Sequence, residues 1–301
     1  MQLIFDEAIG EVERALLEAQ SELRYCWAAH LARRPSARCS GEDIWQSGTT
    51  PMDLVFDEIV RRHLRKVEHI CAVIVSEDAD TGTPSPGTDA FLVDALDGTH
   101  NALAGYPMYT SSVALYQDHD WRFGWVYDVS RDVAYVAARG QGSYVKTPLL
   151  YTRLRVNPPA SVGQLAVSLM RSRRPECRHG ISELLWQARK VRMSSCSSID
   201  LCLVAAGALD AFVDIEMPGH ERTCDIAAAA LILTEAGGDL FAPELSRRIL
   251  TPPSDNSLRD FGPLIAVSNR SVAIEIAKTM SLRHQIRFPA LQGENCGTTT
   301  G

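Results

Sequence analysis

Apolar residues recur at helical spacing through residues 5–34, a stretch rich in Glu, Ala and Leu. They predict a long helix, broken by Arg34-Pro35-Ser36-Ala37. A loop over 47–51 leads into a second amphipathic helix, 52–67. Val73-Ile74-Val75 and Ala90-Phe91-Leu92-Val93 read as strands. Between them, the turn-rich stretch 81–87 reads as an exposed loop. Strand-like runs at 111–116, 123–127 and 133–137 are bounded by charged or glycine-containing turns, the pattern of an antiparallel meander. After Pro158-Pro159 strands and helices alternate, with a strand at 165–168 and helices at 181–188 and 199–206. A strongly apolar helix over 226–236 stops at Gly237-Gly238, and a strand at 264–267 and a helix at 272–279 follow. The expected fold is α+β in the first half and α/β in the second. Its parts are an N-terminal lobe, 1–157, a C-terminal lobe, 158–285, and a disordered tail, 286–301.

Composition narrows the function. The 301 residues are 46% hydrophobic and 22% charged, ordinary for a globular protein. The formal charge of −7 argues against a nucleic-acid or anionic-membrane surface, which needs clustered Lys and Arg. Asp6 interrupts any apolar export core at the start. The longest apolar stretch, 201–213, is broken by Asp210 and is too short to span a bilayer. Eight cysteines lie scattered without a CxxC pair, which suits free thiols in a reducing cytoplasm.

The informative segment is Asp94-Ala95-Leu96-Asp97-Gly98-Thr99. An apolar strand delivers two carboxylates three residues apart, and strand ends are where ligands gather in such sheets. Two buried carboxylates repel one another unless a cation neutralises them. Gly98 lets the backbone approach a ligand, and a helix beginning near His100 would offer free N–H groups to a phosphate. From the residues alone, a metal-plus-phosphate site and an acidic turn of no function both remain open.

This run, continued by Asn101 and by Gly105-Tyr106-Pro107, resembles the DPxDGTxN…GxP signature of the inositol monophosphatase superfamily. Asp225-Ile226-Ala227-Ala228-Ala229, with Glu235-Ala236-Gly237-Gly238, is similar to its second signature. Ser76-Glu77-Asp78 stands for its G-E-E, and Thr50-Pro51-Met52-Asp53 for its T-x-x-D. The resemblance implies layered αβαβα architecture, a homodimer, and lithium-sensitive hydrolysis of a small phosphate monoester. It implies two or three Mg²⁺ ions held by Glu77, Asp94, Asp97, Asp225 and the carbonyl of Leu96. Asp53 and Thr99 would position and deprotonate the attacking water, and the amides of Gly98 and Thr99 would hold the phosphate. Ser197, Asp214 and Arg222 would meet the substrate. His100 and His220 are left as structural or substrate-side, since magnesium rarely takes imidazole.

The match departs from the family in places. Ala95 replaces a proline, Cys224 a tryptophan, and Trp45-Gln46-Ser47 stands where many members carry a loop lysine. The stretch 215–224 is longer than in the typical inositol phosphatase. Its Arg222-Thr223-Cys224-Asp225 wording is similar to prokaryotic members that also accept fructose 1,6-bisphosphate. The competing expectation is a non-catalytic member that binds a phosphorylated ligand as a regulator, although the acid set is complete.

Overall fold

The computed structural model describes residues 7–33, 49–78, 85, 87–157, 162–172, 174–215, 222–248, 250 and 262–280. The predicted tail, most of the 81–87 loop, the Trp45-Gln46-Ser47 stretch, Pro158-Pro159 and His220 lie outside them.

The long first helix is α1 (Glu7–Arg33), and the second is α2 (Pro51–Leu64). The predicted continuation of α2 to residue 67 is a single 3₁₀ turn, Arg65–Val67. Seven strands form the first sheet in chain order: β1 (Ile74–Ser76), β2 (Ala90–Asp97), β3 (Thr110–Gln117), β4 (Asp120–Asp128), β5 (Val133–Ala138), β6 (Gly142–Lys146) and β7 (Tyr151–Arg153). Only β1 and β2 run parallel; the rest is a meander. A short helix, α3 (Thr99–Ala104), follows β2.

The second half contributes α4 (Arg178–Gln187), α5 (Ser197–Ala205), α6 (Thr223–Glu235) and α7 (Arg270–Thr279). Its sheet holds β8 (Ala166–Leu169), β9 (Lys190–Arg192), β10 (Ala211–Asp214), β11 (Asp239–Phe241) and β12 (Leu264–Val267), in the order β11-β12-β10-β8-β9.

Three apolar clusters stack these elements into five layers. One joins α1 and α2 to one face of the first sheet. The second fills the space between the two sheets around α5 and α6, and the third covers the far face of the second sheet with α4 and α7. The apolar run in β2 follows from this layering. Phe91 and Val93 pack toward α1 and α2, while Ala90 and Leu92 pack toward α6, so a strand covered on both faces has no polar alternation. Helix α6 is apolar all round for the same reason: it lies between two sheets. Among the described residues, no helix is long and apolar enough to cross a membrane.

One contact sets how closely α6 sits on the first sheet. A Cβ on Gly124 of β4 would lie 2.6 Å from the carbonyl oxygen of Ala228, so the strand and helix backbones nearly touch there. Gly124→Ala should therefore destabilise the protein by about 1–3 kcal/mol, since overpacking forces the helix outward. A urea-denaturation midpoint equal to that of the wild type would show that α6 is not seated by this contact.

Candidate active site

Strand β2 extends past the predicted run Ala90–Val93 and takes in both of the acids expected at its end. It runs on to Asp97, with Asp94 opposite Ser112, Asp97 opposite Thr110, and an irregularity between them. That irregularity lets two carboxylates three residues apart share one site. Strand alternation puts Asp94 on the face of Ala90 and Leu92, the face that α6 covers. Gly98 then turns the chain into α3 with φ +85°. A Cβ there would come 2.8 Å from the carbonyl oxygen of Met108, so both the turn and the close approach require glycine.

A cavity of about 660 Å³ opens over this turn. Its walls bring together Asp53, Glu77, Asp94, Leu96, Asp97, Gly98, Thr99, His100, Ser197, Arg222 and Asp225, drawn from α2, the end of β1, β2, α3, α5 and the start of α6. Asp214, one of the three expected substrate contacts, is not among the lining residues. It lies buried at the end of β10, paired across the ladder with Leu264.

Asp53 serves two neighbours. Its Oδ2 accepts the backbone N–H of Thr50 at 2.5 Å, closing a capping box at the start of α2. Its Oδ1 accepts the hydroxyl of Thr99 at 2.8 Å, while the Leu96 carbonyl lies 3.0 Å from the same hydroxyl. Asp97 is held from the second half of the chain: its Oδ2 accepts the N–H of Ser198 at 2.8 Å and the Ser198 hydroxyl at 2.5 Å, with the Cys196 thiol at 3.3 Å. Asp225 caps α6, its Oδ2 accepting the N–H of Arg222 at 2.8 Å. The Arg222 guanidinium reaches the same oxygen through Nε at 3.1 Å and also pairs with Glu77. The Cys224 thiol lies 3.1 Å from Asp225 Oδ1.

The concentration of acids disturbs their ionisation. Burial, then Asp225, pushes the Glu77 carboxyl up to about 7, against the pull of Arg222. Burial holds Asp94 well above the usual carboxylate range, and Glu77, Asp97 and Asp225 add to it. Burial also raises Asp97, although the Ser198 donors oppose it. Carboxylates that resist ionisation because of burial, and then because of one another, make a site short of positive charge, and every donor in the predicted set is a hard oxygen of the kind Mg²⁺ takes. Glu77, Cys224 and Asp225 also offer three ligand atoms within 4.8 Å of one another.

Several residues that make contacts at the site had no role assigned from the sequence. Asp78 lines the cavity, its Oδ1 accepting the Thr49 hydroxyl at 2.9 Å. Asp57, fully buried one turn after Asp53, accepts the Ser76 hydroxyl and the Arg61 guanidinium, and so ties α2 to the end of β1. Asn101 spans to the carbonyl oxygens of Met108 at 2.7 Å and Ser194 at 2.6 Å. The hydroxyl-rich run 194–198 stood out in the sequence, but nothing there tied Ser198 and Cys196 to Asp97.

A model of the inositol monophosphatase family matches residues 29–272. A fructose-1,6-bisphosphatase/inositol-1-monophosphatase of Thermococcus kodakarensis is 30% identical over 66% of this chain and 71% of its own length. Inositol monophosphatase 1 of Bos taurus is 30% identical over 69% and 73%. Among solved structures, the extragenic suppressor protein SuhB of Bartonella henselae superposes with a TM-score of 0.70. It is 21% identical, over 89% of this chain and 98% of that one.

The raised Glu77 carboxyl has a consequence for stability. Below its ordinary value of 4.5 the group is protonated whether the chain is folded or not; above about 7 it is ionised in both states. Between these limits unfolding releases a proton, so the metal-free protein should lose stability as pH rises from about 4.5 to about 7. Urea midpoints in EDTA should fall across this window and fall less with Mg²⁺ present. A flat profile in EDTA would refute the buried-acid account.

Proposed function

Since the chain belongs to the inositol monophosphatase family, we propose that it is a Mg²⁺-dependent phosphatase that hydrolyses a small phosphate monoester by direct attack of water. The observation that carries this reading is the convergence of Asp53, Glu77, Asp94, Asp97, Thr99 and Asp225 on one cavity beside the start of α3. Glu77, Asp94, Asp97, Asp225 and the Leu96 carbonyl would hold the magnesium. Magnesium bound there supplies Lewis-acid stabilisation of the phosphoryl and leaving-group oxygens and makes water more acidic.

The chain's own residues do the rest. The N–H groups of Gly98 and Thr99, at a helix start where backbone donors have no intrahelical partner, face the phosphate. Thr99 and its Asp53 partner both line the cavity. As a water attacks phosphorus, its proton passes to Thr99 Oγ1 and the Thr99 proton passes to Asp53 Oδ1, 2.8 Å away. The leaving alcohol takes a proton from solvent. Ser197, which lines the cavity from the first residue of α5, would contact the substrate's hydroxyl groups.

The test is phosphate release from inositol 1-phosphate, fructose 1,6-bisphosphate, histidinol phosphate and nucleoside monophosphates, with and without Mg²⁺. Asp94→Asn should abolish metal-dependent release. Thr99→Ala should lower kcat about 10²–10⁴-fold, the usual contribution of a positioned proton acceptor, with KM little changed. Tight binding of these esters by the wild type without any turnover would favour the non-catalytic regulator instead.

A further inference from the structure

We propose that Arg222 is a resident counter-ion of the acid cluster, competing with the divalent cation for Glu77 and Asp225, so that cation loading requires its guanidinium to let go. The inference rests on the reading that this cluster is a cation site.

Both oxygens of Asp225 already have a donor beside them. Its Oδ2 already accepts two donors from Arg222, the main-chain N–H at 2.8 Å and Nε at 3.1 Å, and the Cys224 thiol stands 3.1 Å from Oδ1. Glu77 is paired with the other end of the same guanidinium. A cation that takes up Asp225 and Glu77 must share their oxygens with these donors or displace one of them. The main-chain N–H is fixed by the cap of α6, and the thiol is fixed on the first turn of that helix, where Cys224 is buried. The guanidinium ends a long flexible side chain that keeps about a third of its surface exposed, so it is the donor able to move. It also has to move, because a unit positive charge a few ångströms from a divalent ion is repelled whatever the contact geometry.

Arg222 faces the same cavity as Gly98 and Thr99. An anion entering that cavity offers the guanidinium an alternative partner and so frees the two carboxylates. Cation and anion binding should therefore favour each other, and by linkage the coupling is reciprocal.

Calorimetric titration of the metal-free protein with MgCl₂, with and without inorganic phosphate, tests this. Arg222→Gln should bind Mg²⁺ about tenfold more tightly than the wild type, since removing one member of a buried charge pair leaves the acids uncompensated. Arg222→Lys, which keeps the charge, should stay near the wild type. Phosphate should tighten Mg²⁺ binding in the wild type and much less in Arg222→Gln. Metal-free Arg222→Gln should melt lower and gain more from Mg²⁺, and this shift also verifies that the variant folds. Equal or weaker Mg²⁺ binding by Arg222→Gln overturns the competition and leaves the phosphatase reading standing. Absence of Mg²⁺ binding by all three proteins overturns both.

Discussion

Like charges crowded into one buried wall are the constraint around which this molecule is built. Asp94, Asp97, Glu77 and Asp225 come from two different layers, and in a low-dielectric interior their mutual repulsion would drive them apart or hold them protonated. What keeps them together is the packing behind them: a strand covered on both faces, a helix buried between two sheets, and donors aimed at single oxygens. Ser198 restrains Asp97, and Arg222 spans Glu77 and Asp225. The apolar core thus supplies the energy that holds an electrostatically unfavourable arrangement in place.

That arrangement explains why the cluster is split between sheet and helix. Asp94 and Asp97 belong to a strand pinned on both sides by hydrogen-bonded neighbours, whereas Asp225 begins a helix that touches the first sheet at Gly124. Position along the strand fixes one pair, and the seating of α6 fixes the third acid relative to them. Glu235 at the far end of α6 accepts the N–H groups of Gly140, in the turn between β5 and β6, and of Gly142, the first residue of β6, so the helix is anchored to the first sheet at its tail as well.

Much of this was legible in the sequence, because the chemistry is written in short contiguous runs. The segment 94–99 carries two acids, a glycine and a hydroxyl in register, and the segment 225–238 carries an acid, an apolar helix and its stop. The long helices and the longer strands of the meander also showed, since periodicity accumulates with length. Strands β7, β9 and β11, each three residues long and without the unbroken apolar run that marked β1, did not show. Runs that short have no period of their own and become strands only by pairing with a neighbour. Partners distant in sequence were equally hidden. Nothing local says that Ser198 will hold Asp97 from 101 positions away, or that Asp57 will meet Ser76. The placement of Asp214 illustrates the opposite hazard: a residue at the right point of a resembling strand lies buried away from the cavity lining.

The double duty of Asp53 carries a thermal consequence. One of its oxygens closes the first turn of α2 and the other steers the hydroxyl of Thr99, so a single carboxylate joins a helix end to the cavity. Helix ends open at temperatures where the core is still intact. When that first turn frays, Asp53 swings with it and Thr99 loses its orientation while both sheets remain folded. Loosening that one turn would therefore disable the chemistry while the core is still intact.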